Sequence, residues 1–172
     1  MAIDLSTLVR EIPDFPKPGI LFRDITPLLA DGAGLREAIE RMAAPFRGKV
    51  DVVVGVESRG FILGAPVAVA LGTGFALIRK PGKLPAAKIA ASYELEYGTD
   101  TVEMHTDAVR VGSRVLVVDD LLATGGTASA AIDLVRRAGA EVEACSFLIE
   151  LAGLGGRARL GSVPVHAVLS YA

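Results

Sequence analysis

Val115-Leu116-Val117-Val118-Asp119-Asp120-Leu121-Leu122-Ala123-Thr124-Gly125-Gly126-Thr127 is the stretch on which the reading of this chain turns. Four apolar residues end in two adjacent carboxylates, a loop of small and hydroxyl residues follows, and Ala128-Ser129-Ala130-Ala131-Ile132 opens a helical pattern. Strand, acidic tip, glycine loop and helix start together make a ligand site. Glycine lets backbone amides turn inward with no Cβ in the way. A helix N-terminus offers free N–H groups and positive potential, which suit a phosphate. The hydroxyls of Thr124 and Thr127 add donors. Asp119 and Asp120 cannot serve that phosphate, because like charges repel; one step back, they suit neutral hydroxyl donors. Phosphate on one side and a vicinal diol on the other describe a ribose 5-phosphate. Taken alone, the stretch also fits a tight strand-to-helix turn with two solvated acids.

The segment is not a Walker A loop, since no Gly-Lys-Ser/Thr closes it, and it is not a Rossmann G-x-G-x-x-G. It resembles the phosphoribosyl-pyrophosphate (PRPP) motif of the type I phosphoribosyltransferases.

Outward from it, apolar runs alternate with helical patterns. Val50 to Val56 reads as a strand buried on both faces. A helix from about Gly60 to Leu71 follows, then a strand through Phe75 to Ile78. Thr127 to Ala138 is helical and stops at Gly139. Val142 to Ile149 and Val165 to Leu169 are further strands. Strands alternating with helices predict an α/β fold whose central, mainly parallel sheet is flanked by helices, with ligands at the carboxyl ends of strands. Upstream, Asp31 to Phe46 has helical spacing, Ile3 to Ile12 fits a short amphipathic helix stopped by Pro13, and Pro13 to Gly19 is an extended or turning segment. Residues 80 to 107 break the alternation. Two polar, alternating runs around Gly98-Thr99-Asp100 predict a hairpin, an exposed excursion from the core that suits a lid.

The 172 residues suit one domain with a sizeable core, and 51% hydrophobic with 22% charged residues is ordinary for a compact protein. A net charge of −2 argues against a nucleic-acid partner. The lone Cys145 reads as a core residue. The N-terminus lacks a basic region followed by a long apolar stretch, and no apolar run approaches the roughly 18 residues of a membrane span. The expectation is a cytoplasmic protein with neither nucleic acid nor membrane as partner.

A second loop, Gly55-Val56-Glu57-Ser58-Arg59-Gly60, repeats the strand, small-residue, helix logic. Its Arg59 can grip phosphate oxygens bidentately, so Glu57, Ser58 and Arg59 are candidates for pyrophosphate. Arg79, Lys80 and Lys83 follow another strand and can balance charge on a departing pyrophosphate; a solvated basic turn is the plainer reading for one of them. His105 and His166 have no evident partner. No His, Cys or carboxylate set has metal-ligand spacing, so Mg²⁺ is expected to ride on PRPP oxygens, with no direct protein ligand.

Beyond the motif, Pro13-Asp14-Phe15-Pro16-Lys17-Pro18-Gly19-Ile20-Leu21-Phe22-Arg23-Asp24-Ile25-Thr26-Pro27-Leu28-Leu29 resembles the N-terminal signature of the adenine phosphoribosyltransferase family. Glu57-Ser58-Arg59-Gly60-Phe61, Arg79 to Pro85, Ser92 to Gly98 and Asp119 to Thr127 fit that family in the same order. The resemblance implies transfer of the phosphoribosyl group from PRPP to adenine, giving AMP and pyrophosphate in purine salvage. It also implies a single domain over 1–172, with a base-recognition segment at 1–34 and the lid at 80–107, and a homodimer in which Arg79, Lys80 or Lys83 can reach the partner's site. Phe22 is expected to stack on adenine, with Leu121 on its other face and the backbone of Leu21 and Arg23 reading its edge. Ala123, Thr124, Gly125, Gly126 and Thr127 would hold the 5-phosphate. Asp119 and Asp120 would hold the ribose diol and favour positive charge at C1. Glu96 would exchange the adenine N9 proton, and Tyr97 would position the lid or the pyrophosphate. Two alternatives stay open: a related enzyme for another base, against which the Phe22-Arg23 segment argues, and a PRPP-binding regulator, for which no nucleic-acid-binding element is apparent.

Overall fold

The computed structural model describes residues 3–95 and 98–172. Leu5–Leu8 is a 3-10 turn whose first free amide, that of Ser6, is capped by the Asp4 carboxylate. The chain then enters β1 (Arg10–Ile12), antiparallel to β2 (Phe22–Asp24). The amphipathic helix expected over residues 3–12 is therefore a turn and a strand. Leu5 and Val9 do share a buried face, as helical spacing requires. So short a helix is marginal by itself, however, and the backbone of Arg10–Ile12 finds its partners twelve or so residues away. Between these strands the proline-rich segment turns on Asp14, at φ +57, whose carboxylate accepts the Gly19 amide at 2.7 Å.

Two helices follow, each started by an aspartate. Asp24 accepts both the amide and the hydroxyl of Thr26 at 2.9 Å ahead of α1 (Thr26–Ala30), an element the periodicity did not reveal. Asp31 accepts the Gly34 amide at 2.6 Å at the start of α2 (Gly32–Ala43). Thereafter the order is β3 (Val52–Val56), α3 (Arg59–Leu71), β4 (Gly74–Arg79), β5 (Lys88–Glu94), β6 (Thr99–His105), β7 (Arg114–Leu122), α4 (Gly126–Arg137), β8 (Glu141–Leu151), α5 (Gly156–Arg159) and β9 (Val165–Tyr171).

Seven of these strands form one sheet in the order β5-β6-β4-β3-β7-β8-β9. The run from β4 to β9 is parallel, and β5 and β6 join it antiparallel at one edge. Alternate residues of the central strands feed two cores. Val54, Val117 and Phe147 pack with α4, while Val53, Leu116 and Leu148 pack with α2 and α3. Burial on both faces explains why these strands read as unbroken apolar runs.

The 80–107 segment is less of an excursion than its polarity implied. Its hairpin is the sheet's edge, with Ala91, Tyr93, Val102 and Met104 buried against α4 and outward positions left to polar residues. Backbone pairing with β4 is confined to Ile78↔Met104 and Arg79↔Glu103. Among the described residues no helix is long and apolar enough to cross a membrane.

Candidate active site

From β3 the chain moves one way to β4 and later the other way to β7, so the order reverses between β3 and β7. A crevice opens at such a reversal, beyond the carboxyl ends of the strands. Here it is a cleft of about 530 Å³, bounded by residues 56–59, Lys80, Lys83, Tyr93 and residues 119–128. The two loops singled out from sequence thus face one another.

One wall is the glycine loop. Gly125 takes φ +83, a conformation that side chains disfavour, and a Cβ there would lie 2.9 Å from the Gly156 carbonyl oxygen. A Cβ on Gly126 would lie 2.9 Å from the Tyr93 ring. With both glycines in place, α4 begins at Gly126 and its first intrahelical bond runs from the Ser129 amide to the Gly125 carbonyl. The amides before Ser129 have no intrahelical acceptor, which leaves a set of donors at the positive end of the helix.

The acidic pair stands within β7 rather than beyond it, since pairing with β8 continues through Asp119↔Phe147 and Leu121↔Ile149. Successive strand residues point opposite ways, so the two carboxylates meet different neighbours. Asp120 is ion-paired with the Arg59 Nε at the start of α3. Asp119 Oδ1 accepts the Asp120 amide at 2.9 Å and sits where a Cβ on Gly60 would come within 3.0 Å. Burial, and then the charge of Asp120, push the Asp119 carboxyl well above the usual carboxylate range. The hydrogen bond it donates to Asp120 raises the Arg59 guanidinium above its ordinary value.

The opposite wall is cationic, but its cations are anchored. Glu57 accepts Arg79 Nε and Nη2 at 3.2 and 3.1 Å, the Lys80 amide at 2.8 Å and Lys83 Nζ at 3.3 Å. Burial alone would raise its pKa; the hydrogen bonds from Lys80, Lys83 and Arg79 outweigh it and hold the group low. Lys80 Nζ pairs with Asp100 of β6, and Asp100 also accepts the Tyr93 hydroxyl at 3.0 Å. Tyr93 and Asp100 escaped the sequence reading. Their one available signal was the period-two alternation that puts residue 93 on the hairpin's inner face.

Of the residues expected here, Glu57, Ser58, Arg59, Lys80, Lys83 and Asp119 to Thr127 line the common cleft. Arg79 stands behind it, held by Glu57. Leu21, Phe22 and Arg23 lie outside the cleft. Phe22 packs edge-on against Phe15 at 5.2 Å between ring centres, Leu21 is exposed, and Arg23 lies 4.0 Å over the Tyr171 ring and pairs with Glu11. Glu96 and Tyr97 lie outside the described residues. Among the described residues no group of three or more His, Cys, Asp or Glu side chains could cage a metal.

Residues 24–158 match the phosphoribosyl transferase domain family. The adenine phosphoribosyltransferase of Thermobifida fusca is 58% identical over 173 residues, covering 98% of each chain. The crystal structure of adenine phosphoribosyltransferase from Thermoanaerobacter pseudethanolicus aligns with a TM-score of 0.95 at 48% identity, covering 98% of both chains. That from Saccharomyces cerevisiae, solved with an imino-altritol bisphosphate and adenine, aligns at 0.93 with 40% identity, covering 96% of this chain and 97% of that one. The fold, the paired loops and these likenesses agree, and the chain belongs to the phosphoribosyltransferase family, among its adenine phosphoribosyltransferases.

Proposed function

We propose that the cleft between β3 and β7 carries the transfer of the phosphoribosyl group from PRPP to adenine, with these side chains in the roles that follow. The observation carrying the reading is the placement of Asp119 and Asp120 beside the free amides of α4, with Arg59 paired to Asp120 and with Lys80 and Lys83 on the facing wall. The amides and hydroxyls of residues 123–127 hold the 5-phosphate. Asp119 and Asp120 accept the ribose hydroxyls. As the C1–oxygen bond to pyrophosphate breaks, positive charge grows on the ribose, and the two carboxylates lie where that charge develops. N9 of adenine then bonds to C1 and gives up its proton, for which Glu96 is the proposed acceptor, with Tyr97 positioning the hairpin tip.

The leaving pyrophosphate is received by Arg59, Lys80 and Lys83, with Ser58 and the residue 57–59 backbone beside it. Glu57 acts through the cations it holds rather than as a ligand. Arg59 must leave Asp120, and Lys80 must leave Asp100, before either can meet substrate oxygens. Each exchange swaps one carboxylate partner for another anion, so little electrostatic attraction is lost. Mg²⁺ suits this site as a substrate-borne ion, because two acids face the cleft; bound to PRPP, it would neutralise pyrophosphate charge. Phe22 and Leu121 are the proposed faces of the base pocket, with the backbone of Leu21 and Arg23 at the adenine edge and the 80–107 hairpin closing over it.

The reading carries with it a homodimer and a cytoplasmic location. The exposed apolar side chains of Ile62 and Val69 on α3 and Leu77 on β4 support a subunit contact. Incubating the protein with PRPP, Mg²⁺ and each nucleobase tests the proposal. AMP should form with adenine, and hypoxanthine or guanine should be disfavoured by at least about tenfold, because a 6-oxo base leaves buried polar groups unpaired. Equal turnover of hypoxanthine would refute the base assignment.

A further inference from the structure

Arg159, at the end of α5, lies beside the phosphate loop without being part of it. Gly156 at the start of α5 is pressed against the Ala123 carbonyl, where any Cβ would collide, and its own carbonyl faces Gly125. This backbone-to-backbone contact fixes α5 on the loop. It sets Arg159 Nη1 3.6 Å from the position of a Cβ on Gly126, and Arg159 Cβ 3.4 Å from that on Gly125. Next door, Arg157 is held by Glu150 at 2.6 Å, but among the described residues Arg159 has no ion-pair partner. Glu94 and Asp133 border the same groove, and Asp133 is taken by Arg137 at 3.2 Å.

A guanidinium next to the positive end of a helix is unfavourable unless an anion lies between them. The α4 terminus and Arg159 form such a pair, and a phosphate on the amides of residues 126 and 127 would satisfy both. With no ion-pair partner among the described residues, the guanidinium lies within a few ångströms of that position and has five N–H donors to offer. We infer that Arg159 is a second-line ligand of the 5-phosphate, closing over the anion from the α5 side and favouring phosphorylated over unphosphorylated ribosides. The inference rests on the 5-phosphate binding at residues 123–127.

The test is AMP titration and steady-state kinetics on the wild type, Arg159→Gln and Arg159→Lys. A charge-assisted hydrogen bond at a solvent-exposed position predicts about tenfold weaker AMP binding in Arg159→Gln. Arg159→Lys should recover part of the loss. KM for PRPP should rise, while KM for adenine and kcat at saturating PRPP stay within about twofold. Unchanged AMP affinity in Arg159→Gln would overturn the inference. So would a parallel rise in KM for adenine that Lys fails to rescue, which marks a displaced loop instead of a lost ligand. A wild-type protein that binds adenine but shows no preference for AMP over adenosine would overturn the phosphate site itself, and this inference with it.

Discussion

Replacing Gly125 with alanine separates two costs that a glycine can conceal. The first is conformational. At φ +83 an L-residue is in the left-handed region, at about 1–2 kcal/mol. The second is contact. The new Cβ would meet the Gly156 carbonyl oxygen at 2.9 Å and its Cα at 3.2 Å, both backbone atoms that no rotamer change can move. Overpacking of this kind costs about 1–3 kcal/mol. Together they predict a loss of about 2–5 kcal/mol in denaturant unfolding. Gly48 is the control: it has φ +71, but a Cβ there meets nothing within 4 Å. Gly48→Ala should show the conformational cost alone. Relief of the clash must also shift the loop, and with it the amides proposed for the phosphate. A hydrogen bond to a charged group is worth about 1.5–3 kcal/mol, so losing one predicts AMP binding weaker by about 10- to 150-fold in Gly125→Ala and unchanged in Gly48→Ala. Equal stability losses in the two variants, or normal AMP affinity in Gly125→Ala, would refute the argument that contact with α5 shapes the loop.

Three further outcomes are expected. Asp119→Asn should raise the unfolding temperature while lowering kcat by about 10²-fold: its carboxyl favours the protonated form when folded, so stability from it is present below the unfolded pKa and lost as pH rises through the folded one, and a neutral isostere removes that penalty along with the field on C1. Calorimetry and initial rates check both signs. Glu96→Gln should cut kcat by at least about 10²-fold with PRPP affinity little changed, whereas Glu94→Gln should not; equal losses would assign the proton transfer elsewhere. Burial pushes the Cys145 thiol up to about 12, so the fold favours the neutral thiol, and the associated stability should fall as pH rises above the thiol's ordinary value near 9; alkylation of Cys145 should track global unfolding, and rapid labelling at neutral pH would contradict its burial.

The elements that were legible in the sequence are those whose signal is local. Val52–Val56 and Arg114–Leu122 are apolar because both faces are covered, and the glycine loop announces itself by composition. Residues 3–12 were misread because the same apolar spacing serves a turn and a strand, and only the pairing with Phe22–Asp24 decides between them. The strand reaches past Asp119 and Asp120 for a similar reason: β8 supplies the ladder, and a run that turns acidic does not say where its neighbour ends.

Least legible was how the two halves of the site meet. Each loop could be assigned an affinity on its own, anions for one set of side chains and hydroxyls for the other. Their relation depends on register. Gly55 lies beside Val118, and that one pairing carries the start of α3 to the end of β7 and brings Arg59 to Asp120, 61 residues apart in sequence. Glu57 and Asp100 do the same for Arg79, Lys83 and Lys80. A cleft that looks from its sequence like a strong anion trap facing a strong acid pair is therefore largely neutralised by internal ion pairs. Arg59 and Lys80 are half-exposed in those pairs, where water screens the attraction and makes exchange cheap. Such a site holds its cations ordered before substrate arrives and leaves them free to change partners when an anion competes.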